Sequence, residues 1–259
     1  MILRRITEHM RRQAWTAIAI EFVIVVIGIF VGLQVNNWNE ERRDRGRELT
    51  YLQGIAADLD ESIASIQQSI GYSNDRVALD ELLIKAATDP GVVRADPGRF
   101  MFAVTRGGYT HSPSIRGYTF EAIKSTGGLE IIRDRQLVLD LMKFYATVQG
   151  QSQWSAFRTF CQSEYFKRSA GIMTAMQLML TSNSESIMPV VDVDDAMQAY
   201  QRMLLRPEFI DWLPTTLFNR STDVRFDNQW LASARDLRAR IQAQPGLAAT
   251  NDVVKTSAR

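Results

Sequence analysis

Hydrophobic and polar positions follow two different patterns along this chain. From Ala14 to Val35 they do not alternate: only Glu21 and Gln34 are strongly polar, with Thr16 mild. These 22 residues exceed the about 20 that a helix needs to cross a hydrocarbon core of about 30 Å. Trp15 and Trp38 flank the run, about 35 Å apart on a helix, which is the separation of two interfacial aromatic belts. A cleavable signal peptide has an apolar region of only about 7–15 residues and a small-x-small cleavage site. Here the run ends in "LQVNNWNEE" with no such site. The pattern therefore predicts an uncleaved transmembrane helix over 14–36. A buried core helix is the competing reading, and the basic head and paired tryptophans weigh against it.

After Glu48 the pattern becomes periodic. Leu52, Leu59 and Ile66 recur every seven residues, with Ala56, Ile63 and Ile70 offset by four, as in an amphipathic helix. This juxtamembrane helix is expected over 37–71, with Gly71 ending it and Ser73 capping a next helix over 75–87. "TDPGVVRADPG" reads as a loop, and "RFMFAVTRGG" as a short helix or strand. Further helices are expected over Thr119–Ser125, closed by Gly127 or Gly128, and from Asp134 onward, burying Leu137, Leu141, Phe144, Tyr145 and Val148. Others follow from about Gln153 to Leu180, interrupted near Gly171, then over Ala196–Leu205 with Asp194 as cap, and over Phe226–Gln242. The fold class is all-α: a single transmembrane helix continuing into a soluble bundle of about six to eight helices. Within it, 72–243 forms the helical domain and 244–259 a loose tail.

Charge refines the topology. Residues 1–13 carry Arg4, Arg5, Arg11 and Arg12 against Glu8, a local +3, while everything after the span sums to −1. Four Lys or Arg lie close to the span on each side, so the positive-inside rule nearly ties. On the C-terminal side, however, Arg42, Arg43, Arg45 and Arg47 are interleaved with Glu40, Glu41, Asp44 and Glu48. The expected arrangement is a head in the cytoplasm, a helix in the inner membrane and an extracytoplasmic, periplasmic domain. So neutral a domain predicts no nucleic-acid partner, because phosphate binding needs a concentrated basic surface. Membrane lipid is the expected environment.

Placing residues at about 100° intervals from Glu21 puts Ala14, Ala17, Val25, Gly28 and Gly32 within about 40° of it. Gly28 and Gly32 form a small-xxx-small pair, which lets helix backbones approach closely in lipid. A carboxyl group in the membrane tends to face protein rather than acyl chains. This stripe is the candidate docking face, for a second copy of the chain or for another transmembrane protein.

"EFVIVVIGIFVGLQVNNWNEERRDR" resembles a bacterial family of uncharacterised membrane proteins whose N-terminal hydrophobic helix ends in a "QVNNWNE" signature. "YTFEAIKSTGGLEIIRDRQLVLDLMKFY" (118–145) is similar to that family's Tyr-x-x-Leu-Lys-Ser-Ser-Gly-x-Leu region, with Ile123 and Thr126 as mild departures. The resemblance implies a membrane helix followed by a mostly helical soluble domain. It implies no reaction, cofactor or catalytic residue.

Candidate chemistry is sparse. There are two histidines, His9 and His111, and one cysteine, Cys161, set among aromatics at a helical position that reads as buried. No H-E-x-x-H, nucleophile-elbow or phosphate-loop motif occurs. Asp192, Asp194 and Asp195 lack the glycine and terminal glutamate of a calcium loop and read as caps. The most site-like segment runs from Arg106 to Tyr118. It gathers Arg106, Tyr109, His111, Arg116 and Tyr118, with Lys124 a turn beyond, and would suit an acidic or sugar-like ligand. A solvated connector is the simpler reading. The sequence thus points to a non-enzymatic interaction, scaffold or accessory protein without cofactor or metal, or alternatively to a membrane-anchored ligand-binding module using this loop.

Overall fold

In the computed structural model, the structure describes the backbone of residues 2–150, 152–182 and 190–247 and the side chains of 19–150, 154–181 and 190–247. Helix α1 (Ile2–Ala86) is unbroken over 85 residues. The break expected at Gly71 and Ser73 does not occur. A glycine in a helix costs only about 0.5–1 kcal/mol, and the seven-residue repeat continues past it with Ser73 and Asp80, both buried. It is the polarity of those residues that hides the repeat.

Two Asp–Pro–Gly runs follow, and both start helices instead of forming a loop. The Asp89 side chain accepts a bond from the Gly91 amide at 2.8 Å, opening α2 (Pro90–Ala95). The Asp96 side chain accepts from the Arg99 amide at 2.9 Å, opening α3 (Pro97–Arg106). Asp as cap with Pro in the first turn is a helix start, because proline lacks only an N–H that would have no partner there.

The remaining elements are α4 (Tyr118–Ser125), a 3-10 turn (Gly128–Ile131), α5 (Arg135–Gln149), α6 (Ser152–Ser169), α7 (Ala175–Ser182), α8 (Val193–Leu204), α9 (Pro207–Ile210) and α10 (Leu213–Gln242). The described residues form no strand, and eight of the ten described α-helices, α1 and α3 included, have eight or more residues. The all-α bundle is as expected. Gly127, at φ 73°, closes α4, and Gly171, at φ 83°, separates α6 from α7. Asp134 caps α5 by accepting from the Leu137 amide at 2.8 Å. Two boundaries differ: Asp192, not Asp194, caps α8, and α10 begins thirteen residues before Phe226. The added turns of α10 bury Thr216, Asn219, Arg220 and Asp223, which carry no hydrophobic period.

The axis of the bundle is the pairing of α1 with α10. Asp80 meets Arg220, Asp60 meets Arg238 and Leu49 meets Gly246, so the two helices run antiparallel. On α1 the buried positions include Leu52, Ile55, Leu59, Ser62, Ile66, Ser69, Ser73, Arg76, Asp80 and Leu83 in a 3-4 alternation, widened by Ala56, Leu79 and Ala86 beside it. Ile63 and Ile70, expected on the buried face, are only partly covered.

Two apolar cores flank this seam. One joins α1 from Leu52 to Ile66 with α4, α5 and the C-terminal half of α10. The other joins Leu79, Leu83 and Ala86 with α2, α3, α6, α8, α9 and the start of α10. The segment after α10, expected to be loose, packs as far as it is described. Leu247 is buried in the first core and Gly246 lies against Leu49.

Candidate functional site

The expected docking face lies on the part of α1 that the bundle leaves bare. In the most apolar window of α1 no side chain is buried, and this stretch is long and apolar enough to cross a membrane. Glu21, Val25, Gly28 and Gly32 are all exposed. A Cβ built at Gly28 or Gly32 would meet nothing within 4 Å, whereas one at Gly54 would meet Thr119 Cγ2 at 2.7 Å. No contact within the described chain therefore requires glycine at 28 or 32. The side chains of Ala14 and Ala17 lie outside the described residues.

The expected ligand loop does not close on itself. Residues 109–117 run as a strap along α1, held turn by turn. The Ser114 amide donates to Ser65 Oγ, the Arg116 amide to Ser62 Oγ and the Thr119 amide to Asp58 Oδ2, each at 2.8 Å. This stretches the candidate residues out. Arg106 lies over the Tyr109 ring at one end, 5.4 Å from its centroid. His111 packs against Tyr72. Toward the other end Arg116 pairs with Glu61 at 2.8 Å and covers Tyr118, and Lys124 pairs with Glu121 at 3.4 Å. Of the six, the structure brings together Arg106 and Tyr109 in one cleft, and Arg116 and Tyr118 in another place.

Between the two apolar cores is a buried polar seam that the hydrophobic pattern gave no sign of. Arg220 donates to Asp80 through Nε and to the Tyr109 carbonyl through Nη1 at 2.9 Å. Arg158 lies 3.6 Å from Asp223, whose Oδ1 also accepts from Trp154 Nε1 at 2.7 Å. Arg76 stacks over Tyr72, 4.4 Å from its centroid. Among the described residues, Asp80 Oδ1, Arg76 Nε and Asn219 Oδ1 have no hydrogen-bond partner. Burial pushes the carboxyls of Asp80 and Asp223 above their ordinary values, against the pull of Arg220 on the first and of Trp154 and Arg158 on the second. Burial lifts Asp227 to about 6, offset in part by the Ser69 hydroxyl and reinforced by Asp223. Chemically the seam is a clamp: its arginines hold the strap where it leaves α3. The signal that could have found it is the seven-residue repeat itself, followed through Ser73 and Asp80 regardless of polarity.

A cleft of about 340 Å³ opens between α3, α6 and α7, walled by Val104, Phe166, Met173 and Leu178 with Arg106 and Tyr109 beside them. Beside it α7 is inverted: Gln177 and Thr181 are buried while Met176, Met179 and Leu180 are 69%, 68% and 48% exposed. Cys161 is buried, and burial pushes its thiol up, away from the reactive thiolate. Among the described residues no three His, Cys, Asp or Glu side chains gather into a metal-holding group.

No curated protein matches the chain, and no solved structure does. Residues 21–132, from Glu21 in the apolar stretch through the strap and α4 to Ile132, match the model of a family of unknown function, DUF6090.

Proposed function

We propose that this chain is a single-pass membrane protein that acts without catalysis, as an interaction or accessory subunit, through the Glu21–Val25–Gly28–Gly32 face. The observation that carries the reading is the contrast within α1. Its apolar stretch has no buried side chain, yet the same unbroken helix goes on to form the axis of a packed bundle. A helix that is hydrophobic all round is at home in lipid, and its glycine stripe leaves the backbone open to a second helix. In the proposed topology the head is cytoplasmic and the bundle is held on the far side of the inner membrane, where α1 transmits position instead of carrying a reaction.

The test is crosslinking of the full chain in membranes, followed by affinity purification in mild detergent. Gly28→Ile with Gly32→Ile is expected to abolish the crosslinked species while leaving the chain in the membrane fraction. An unchanged species would overturn the docking face. Recovery of only the chain itself identifies self-association, and a co-purifying transmembrane protein identifies a hetero-partner. A reporter fused after residue 247 that is active only in the cytoplasm would reverse the proposed orientation.

A further inference from the structure

We infer that Asp227 is a proton-operated latch: protonated, it lets the polar stretch of the α1–α10 seam close, and ionised, it loosens that stretch and frees the Tyr109–His111 end of the strap. Three carboxylates are buried in the seam, and their partners differ. Asp80 pairs with Arg220. Asp223 accepts from Trp154 Nε1 at 2.7 Å and lies 3.6 Å from Arg158. Asp227 is only 2% exposed, and among the described residues its Oδ2 is buried without a partner. The Ser69 hydroxyl faces it from α1, buried and equally without a partner in bonding geometry.

The charged groups that face Asp227 are Asp223, one turn back on α10, and Arg158 from α6. The strap reaches this point through the His111 carbonyl, which accepts from Arg158 Nη1 at 3.5 Å, while the His111 ring lies on Tyr72. Asp80, Arg220 and Arg76 continue the seam beyond. With both acids ionised, two carboxylates share one guanidinium in a dry interior, and one buried charge is left uncompensated. A proton on Asp227 removes that charge and supplies an O–H that can donate to Ser69 Oγ. Burial, reinforced by Asp223, accordingly lifts the carboxyl from 3.8 to about 6 against the pull of Ser69 and Arg158.

Arg158 couples this proton to the strap. Ionised Asp227 draws the guanidinium off the His111 carbonyl, whose bond to it is already long. Arg220 and Gln162 are then left to hold that end, through the Tyr109 carbonyl and the Thr110 hydroxyl. The far end stays fastened to Ser65, Ser62 and Asp58. Because the closed seam holds the proton, closure is favoured at low pH and is lost as pH rises through about 6.

The experiment measures hydrogen exchange of the full chain in nanodiscs at pH 5.0 and pH 7.5, as protection factors corrected for the intrinsic pH dependence of exchange. Protection of the Tyr109 amide and of the α10 amides from Thr216 to Asp227 is expected to fall about tenfold between the two. A local opening exposes little new surface, so dilute urea should leave these values unchanged. Asp227→Asn keeps the shape without the charge and should hold the pH 5.0 protection at pH 7.5. Ser69→Ala removes a group that favours the ionised form, so it should carry the loss of protection to higher pH. His111→Gln removes the other titratable side chain of this end and should leave the pH response intact. An Asp227→Asn that keeps the native response would overturn the inference and assign the proton to Asp80 or Asp223. A His111→Gln that abolishes the response would overturn it as well. So would protection that drops with urea as steeply as that of Leu52 to Ile66, since the opening would then be global.

Discussion

The pairing of α1 with α10 contains two stretches with the same geometry and opposite chemistry. From Leu52 to Ile66, α1 presents mainly Leu and Ile to the Trp230–Ile241 half of α10. From Ser69 to Asp80 its buried positions are mainly polar, Ser69, Ser73, Arg76 and Asp80, and α10 buries Thr216, Asn219, Arg220, Asp223 and Asp227, with Asp80 paired to Arg220. The spacing of buried positions is the same in both stretches, so the helices do not diverge. The source of stability differs. The first stretch gains from burying apolar area at roughly 25 cal/mol per Å², non-directionally. The second depends on each charge finding its partner, because an unpaired buried charge costs far more than a paired one contributes. The polar stretch is therefore the more fragile under single substitutions, and its partner Arg220 also holds the strap where it leaves α3.

The largest effect is expected from Arg220→Ala. It leaves Asp80, whose side chain is fully buried, without its ion pair and frees the Tyr109 carbonyl. Loss of one member of a buried pair costs about 3–5 kcal/mol, read as a fall in the urea midpoint of the full chain in nanodiscs. Adding Asp80→Asn should restore part of it. If Arg220→Ala cost no more than a surface substitution, the clamp would be incidental.

In the apolar stretch, Leu59→Ala should cost about 2–4 kcal/mol through lost transfer energy and a cavity, since Leu59 is fully buried. The change should leave the Tyr109–His111 end of the strap unaffected in hydrogen exchange, unlike Arg220→Ala, which removes a bond to that end. A control within the same helix, Ile27→Ala, should leave the midpoint unchanged, because Ile27 is 56% exposed and far from both cores.

These two stretches also mark how much could be read from the sequence. Leu52, Leu59 and Ile66 announced a helix because its buried face is apolar, and Gly127, Gly171 and Asp134 announced turns and a cap because their backbone chemistry is local. The continuation through Ser73, Arg76 and Asp80 was hidden, since hydrophobic periodicity registers burial only when the buried residue is apolar. The first turns of α10 were missed for the same reason. The Asp–Pro–Gly runs suggest a loop, yet both open helices, because proline marks a helix start as readily as a loop. The dispersal of Arg106, His111, Arg116 and Lys124 could not be foreseen. It is set by Ser62, Ser65 and Asp58, 49 to 61 residues away in the chain. The apolar stretch around Glu21, Gly28 and Gly32 is legible as a possible membrane span, because it is long, apolar and without the periodicity of a helix that packs one face on a core.

A smaller effect separates the stretches by pH. Asp227 rises from an ordinary 3.8 to about 6 through burial, with Asp223 adding to the shift and Ser69 and Arg158 opposing it. A carboxyl held above its unfolded value takes up a proton on folding. Its stabilising contribution is therefore full below about pH 4 and is lost as pH rises through about 6. Asp227→Asn should accordingly stabilise the chain by about 1–3 kcal/mol at pH 7.5 and change little at pH 4. Leu59→Ala should show no such pH dependence of its cost. Urea titrations at the two pH values check both, and an Asp227→Asn that destabilises at pH 7.5 would mean the ionised carboxylate is needed.

The smallest expected effect lies in the apolar stretch and tests why it carries a glycine. Gly54 sits on the buried side of α1 where α4 begins, and a Cβ there would lie 2.7 Å from Thr119 Cγ2 and 3.3 Å from its hydroxyl oxygen. Alanine would by itself favour the helix by about 0.5–1 kcal/mol. Thr119 cannot simply retreat, because its amide is fixed to Asp58 Oδ2 at 2.8 Å and its β-branched side chain has little rotamer freedom. The clash should therefore outweigh the propensity gain, giving a net loss of about 1 kcal/mol for Gly54→Ala. Gly54→Ala with Thr119→Ser removes the offending methyl and should recover the propensity gain, making the pair at least as stable as the native chain. If Gly54→Ala alone were stabilising, α4 would be free to move off α1, and the strap, not helix packing, would be what positions it.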